Sequence, residues 1–137
     1  MSYNNPWIFL LTHGRAGEEI LRSTEMITGE ISNVYAFSLL PDMSPENYAE
    51  LIRKKLNEAP AGSIVLTDLF GGTPSNVAIS LSMEFDIFVV SGLNIAMLID
   101  GIGTRELMAG LDLAKHIQQT GIDSCKLFEK NNLLNKV

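Results

Sequence analysis

The chain reads as an α/β protein: a doubly wound, mainly parallel sheet covered by helices on both faces. Three observations predict this. Four short apolar runs recur along the 137 residues, each followed by a turn and then a stretch with helical spacing. The runs are nearly continuous in apolar residues, as strands buried on both faces must be. No linker, low-complexity segment or further repeat interrupts the alternation, so a single domain over 1–137 is expected, with its core at residues 7–128.

The first run, residues 7–12, ends on Thr12 and is followed by His13 and Gly14. Ile20, Leu21, Thr24 and Ile27 then share one helical face, and Gly29 is a stop signal. The second run, 34–40, ends at Pro41. Ser44-Pro45 gives an N-cap followed by proline at the first helical position, opening a helix that buries Tyr48, Leu51, Ile52 and Leu56 and stops before Pro60. The third run is 63–67, and Thr73-Pro74 repeats the cap-plus-proline signature ahead of Val77, Ala78 and Leu81. The fourth is 86–91. Asn94 caps a short helix through Leu98. Thr104 starts another, with Leu107, Met108, Leu111 and Ile117 inward and Gly121 as its end. A last extended segment is expected at 123–128, and the polar tail, 129–137, is expected to fray.

Composition removes several function classes. Hydrophobic residues make up 46% and charged residues 19%, which is globular usage. The net charge is −6 and no Lys/Arg stripe exists, so nucleic acid is not an expected partner. One cysteine, Cys125, excludes an internal disulfide framework and reads as packing. No apolar run approaches the roughly 20 residues that span a bilayer, and the start MSYNNPW lacks a signal-peptide pattern. The expected location is cytoplasmic, without membrane insertion.

Open parallel sheets bind ligands beyond the C-terminal ends of their strands, where the strand order reverses. In the common small order, 2-1-3-4, that point lies between the first and third strands, and His13 and Asp68 sit just past those two. A neutral imidazole is a good nucleophile near neutral pH, and a carboxylate on one ring nitrogen fixes the tautomer and aims the other. Gly71 and Gly72 let the backbone approach closely. The helix opened by Thr73-Pro74 offers free N–H groups and a positive dipole end, and the hydroxyls of Thr73 and Ser75 add donors. Histidine, carboxylate and helix N-terminus together suit phosphoryl transfer. The bland readings are a polar loop histidine, a turn aspartate and ordinary glycine punctuation. Arg15 reads as a solvated loop residue, Asp42 as a turn residue, and His116 as a surface residue. Met26, Met83, Met97 and Met108 read as core filler. GGTPSN lacks the lysine of a P-loop, and two histidines and one cysteine far apart make no metal cluster.

THGRAGEEILRSTEMITG, IVLTDLFGGTPSN and VVSGLNIAMLI, in that order, resemble the enzyme IIA component of the mannose family (mannose/fructose/sorbose type) of the bacterial phosphoenolpyruvate-dependent sugar phosphotransferase system. The resemblance runs over residues 7–128. It implies a phosphocarrier in which His13 accepts a phosphoryl group from HPr on Nε2 and passes it to a histidine of enzyme IIB, which serves the membrane subunits IIC and IID. It makes Asp68 the carboxylate that orients His13, and Gly72 and Thr73 the phosphoryl-binding loop, with no metal or organic cofactor. It also implies a homodimer whose last strand, 123–128, crosses to the partner and pairs antiparallel. The start MSYNNP is an extension relative to the family, and Phe70 stands where some relatives carry tryptophan. Alternatives are a similar carrier serving dihydroxyacetone kinase, a regulatory module controlled by phosphorylation, and a small-ligand domain with an inert His13. The sugar is not legible, because enzyme IIA never touches it.

Overall fold

The computed structural model describes residues 5–131. Along them run β1 (Ile8–His13), α1 (Ala16–Thr28), β2 (Val34–Leu39), α2 (Pro45–Leu56), β3 (Ser63–Thr67), α3 (Thr73–Leu81), β4 (Ile87–Ser91), α4 (Ile95–Thr104) and α5 (Gly110–Asp123). The strands form one sheet in the order β2-β1-β3-β4, every pairing parallel. The sequence reading holds for class, for the order 2-1-3-4 and for these four parallel strands.

Alternation along the central strands builds two cores. Ile8 and Leu10 of β1, with Ile64 and Leu66 of β3, face α1, α4 and α5. Phe9 and Leu11, with Val65, face α2 and α3. Period-two alternation therefore puts Thr12 on the first face and His13 on the second. β1 is buried at every position except His13, which explains why its sequence carries no polar residue before Thr12.

The helix starts follow local chemistry. Ser44 accepts from the Asn47 amide at 3.0 Å, with Pro45 at the first helical position. Asn94 accepts from the Met97 amide at 2.9 Å. The helix after Asn94 is longer than its sequence suggests. It runs to Thr104, which ends α4 and does not start α5. Gly101 lies inside it because the helix presses on the sheet there: a Cβ would come within 3.0 Å of Ile8 Cδ1 and 3.1 Å of Ile117 Cδ1. Gly121 likewise lies within α5, against Met97, and stops nothing.

Several expected core residues are on the surface. Met26 and Met83 sit at or just past the ends of their helices and are exposed, as are Ile27 and Leu107; Leu51 and Leu111 are about half exposed. Met97 is buried and Met108 partly so. Cys125 is exposed and packs nothing. The strand expected at 123–128 does not form within the chain. Asp123 closes α5, and 125–129 has no regular structure, because extended backbone is held only by a neighbouring strand and none of the four pairs with it. The first four residues, and the polar tail from 132 onward, lie outside the described residues.

A residue absent from the sequence reading ties the base of the sheet. Arg105, just after α4, is buried, and its guanidinium donates to the Ser32 carbonyl at 2.6 Å, the Asn33 carbonyl at 3.0 Å and the Pro6 carbonyl at 3.5 Å. One planar donor group thus closes the entries to both β1 and β2. Arg105→Ala leaves these carbonyls unpaired and should cost about 2–4 kcal/mol of unfolding free energy in urea titration. A loss below about 0.5 kcal/mol would mean that water replaces the bonds without penalty.

Candidate functional site

The reversal of strand order falls between β1 and β3, and the two groups singled out in the sequence meet there. His13 is the last residue of β1 and Asp68 follows the last residue of β3, in a register that pairs Leu11 with Thr67. Asp68 Oδ2 accepts two hydrogen bonds, one from the His13 backbone N–H and one from Nδ1 of the ring, both at 2.9 Å. A carboxylate only accepts, so the bonded Nδ1 carries a proton, and in the neutral ring Nε2 keeps its lone pair. The His13 side chain is 49% exposed and that of Asp68 25%. A pair this wet adds at most about 1 kcal/mol to stability, so its consequence is orientation.

The ring lies against the start of α3. A Cβ on Gly72 would sit 2.6 Å from His13 Cε1 and 3.2 Å from Nε2, so only glycine leaves room for the imidazole. Gly71, at φ +90, makes the turn. Gly72 is the N-cap residue, where the sequence suggested Thr73, and its carbonyl accepts the first bond of α3 from Asn76 at 2.9 Å. Pro74 has no N–H. The amides of Thr73 and Ser75 are therefore left without a protein partner among the described residues. Ser75 is fully buried and Thr73 only partly so, which leaves the Thr73 amide, next to the glycine the His13 ring contacts, as the donor an oxyanion can reach at this helix N-terminus. The Thr73 side chain is half-buried and its hydroxyl has no partner among the described residues.

The structure reassigns Ser75. Its side chain is buried and turned away from the site, within 3.3 Å of Ser91 Oγ, which in turn lies 2.9 Å from Thr67 Oγ1. These hydroxyls link the ends of β3 and β4 to the first turn of α3. Thr12, missed as a site residue, accepts from the Gly17 amide at 2.9 Å and donates to the Gly14 carbonyl at 3.2 Å, closing the turn that carries His13. A hydroxyl residue immediately before His-Gly was the available signal. Arg15 is exposed and donates to Glu18 at 3.2 Å. Glu18 also accepts from the Ser38 hydroxyl at 2.5 Å, and chiefly that bond holds its carboxyl below the usual range. Asp42 is an exposed turn residue. His116 sits elsewhere, on α5 with Nδ1 2.8 Å from Asp100 Oδ2. A groove of about 560 Å³ runs between α2 and α3 and reaches the site at Thr73, but neither His13 nor Asp68 lines it. Among the described residues no cluster of His, Cys, Asp and Glu has the makings of a metal site, and no helix is long and apolar enough to cross a membrane.

Comparison with known proteins shows the family of the chain. A family model described as "PTS system fructose IIA component" matches residues 7–118. The chain is 31% identical over 102 residues to the mannose-specific EIIAB component of Escherichia coli K12, covering 72% of this chain and 32% of that protein. It thus spans about a third of that relative's length. It is 26% identical over 120 residues to the sorbose-specific EIIA component of Klebsiella pneumoniae, covering 86% of this chain and 88% of the other. Among solved structures, the mannose/sorbose-specific IIA subunit from Enterococcus faecalis superposes with a TM-score of 0.84 at 33% identity, over 91% of this chain and 96% of that one.

The contact between Gly72 and the ring predicts a separation of stability from site geometry. Gly72→Ala has an ordinary φ to occupy, and the atom it strikes is the end of a movable side chain. Its melting temperature should stay within about 4 °C of the wild type. Its His13 ring ¹⁵N resonances should lose the Nδ1–Asp68 hydrogen-bond signature. Unchanged ring resonances would show that the close approach is not what places the imidazole.

Proposed function

Because the chain belongs to the enzyme IIA components of the mannose family of the sugar phosphotransferase system, we propose that His13 is its phosphoryl carrier, receiving from phospho-HPr and delivering to a histidine of enzyme IIB. The observation that carries this reading is the pair of hydrogen bonds from His13 to Asp68 Oδ2, which puts a proton on Nδ1 and leaves Nε2 of the neutral ring free at the start of α3.

The step balances on the residues present. The Nε2 lone pair of His13 attacks the phosphorus of the donor's phosphohistidine. A new P–N bond forms as the donor's P–N bond breaks, and that electron pair stays on the donor imidazole. Nδ1 keeps its proton throughout, bonded to Asp68. The His13 ring becomes cationic, and the Asp68 carboxylate, already in contact, balances that charge. The phosphoryl oxygens meet the amide and the hydroxyl of Thr73, with the α3 dipole behind them. Transfer to a histidine of enzyme IIB is the same exchange with His13 as the donor: its P–N bond breaks as one forms on the acceptor ring, and enzyme IIB then serves sugar entering by the membrane subunits IIC and IID. No step calls for a metal or organic cofactor.

We further propose a homodimer in the cytoplasm that exchanges its last extended segment. Among the described residues β4 pairs only with β3, which leaves its outer edge open there. Beside it a groove of about 450 Å³ is lined by Phe70, Ile79, Phe88, Val89, Val90 and Leu111. Leu127 and Phe128 are 81% and 65% exposed in the irregular segment after α5. An open apolar edge and an unpaired apolar segment in one chain are complementary.

Incubation with phosphoenolpyruvate, enzyme I and HPr should give one acid-labile phosphoryl adduct by intact-mass spectrometry, absent from His13→Ala. No adduct on the wild type, with HPr itself phosphorylated, would move the reading to a regulatory binding module. Asp68→Asn should still fold and accept the group on the order of 100-fold more slowly, since an amide donates to Nδ1 and favours the wrong tautomer. Truncation after residue 124 should turn a dimer into a monomer by sedimentation velocity; a dimer that survives truncation rules out exchange as its basis.

A further inference from the structure

We propose that Tyr48 is a positioning residue for phosphoryl transfer: its buried hydroxyl fixes the end of β1 and the Asp68 carboxylate behind the His13 ring, and with them the aim of Nε2. The proposal rests on His13 as the phosphoryl acceptor.

Asp68 is held from one side only. Oδ2 takes both bonds from His13, whereas Oδ1 is buried and has no hydrogen-bond partner among the described residues. A carboxylate satisfied at one oxygen and bare at the other is kept in place by what surrounds it. Tyr48 is fully buried on the α2–α3 side of the sheet, packed in the same cluster as Phe9 and Leu11, the residues that precede His13 on that face of β1. Its hydroxyl donates to the Phe37 carbonyl at 2.5 Å. Phe37 lies opposite Leu11 in the β1–β2 register, and Leu39 opposite His13, so this bond falls two residues short of the reacting histidine.

The hydroxyl also senses the carboxylate. Burial first, and then the Asp68 charge, push the phenol well above its ordinary range, while the Thr12 amide pulls the other way. Tyr48 therefore stays neutral. It joins α2 to β2 by a hydrogen bond at the carbonyl opposite Leu11, two residues before His13. A phenylalanine would fill the same space in the core. What the oxygen adds is a fixed dipole at the one end of the sheet where chemistry is placed.

Tyr48→Phe, which keeps the ring and removes the oxygen, is compared with wild type in two measurements. Rapid-quench phosphorylation by phospho-HPr gives rates, and His13 ring ¹⁵N shifts on unphosphorylated protein give the tautomer. The expected result is a kcat lower by about tenfold. KM should stay within about twofold, because a buried side chain touches no partner. The two ring shifts should move toward each other as the Nδ1–H tautomer loses population. Rates within twofold with superimposable ring shifts overturn the proposal. A slower rate with unchanged ring shifts overturns it too, because the hydroxyl then acts by another route. If Tyr48→Phe does not fold, 3-fluorotyrosine placed at position 48 keeps the volume and strengthens the donor; moved His13 ring shifts support the proposal and unmoved shifts overturn it. The ring shifts need no phosphoryl donor, so they judge Tyr48 even if the wild type takes no phosphoryl group, a result that would instead remove the role given to His13.

Discussion

The site depends on one acceptor atom. Asp68 Oδ2 holds the backbone N–H of His13 as well as its ring, so the carboxylate fixes the end of the strand and the direction of the side chain together. Without the backbone bond, the last residue of β1 would be a strand end facing solvent. Without the ring bond, the imidazole would divide between tautomers and Nε2 would be protonated for part of the time. Both bonds exist because β1 and β3 are adjacent in a parallel sheet and their chains leave at the same edge.

Around that atom the protein places polar groups with few charges. Hydroxyls of Thr12, Thr67, Ser75 and Ser91 close the loops behind the site, and α3 starts at the glycine that the ring contacts. Neutral donors in fixed positions stabilise a group that arrives and leaves without attracting it so strongly that it stays. The one cation nearby in sequence, Arg15, is engaged by Glu18.

Much of this was legible in the sequence because it follows from periodicity. The four strands, their parallel pairing and the caps at Ser44 and Asn94 come from local pattern, and the meeting of His13 with Asp68 follows from strand order alone. What escaped depends on distances between segments far apart in the chain. Ser75 reads as a donor to the site, and only the packing of α3 on β4 shows it turned inward. Gly121 reads as a helix end, yet it is where α5 presses on α4, as Gly101 is where α4 presses on β1. Arg105 went unread and Tyr48 reads only as a core aromatic, since their partners are backbone carbonyls that no sequence motif announces. The segment at 123–128 is the opposite case: its composition suits a strand, but a strand exists only where a neighbour pairs with it.

β1 feeds both cores with alternate residues and is enclosed from Ile8 to Thr12. Such a strand cannot detach from one layer while the other stays intact, so it opens only when the whole sheet does. His13, the proposed carrier, is therefore anchored to the most enclosed strand of the sheet, although the ring itself is half in water. The backbone that carries the ring is held by strand pairing on both sides and not by a loop. Partners arriving at the exposed ring find a geometry already set, and heat or denaturant should take away the carrier function and the fold in one transition.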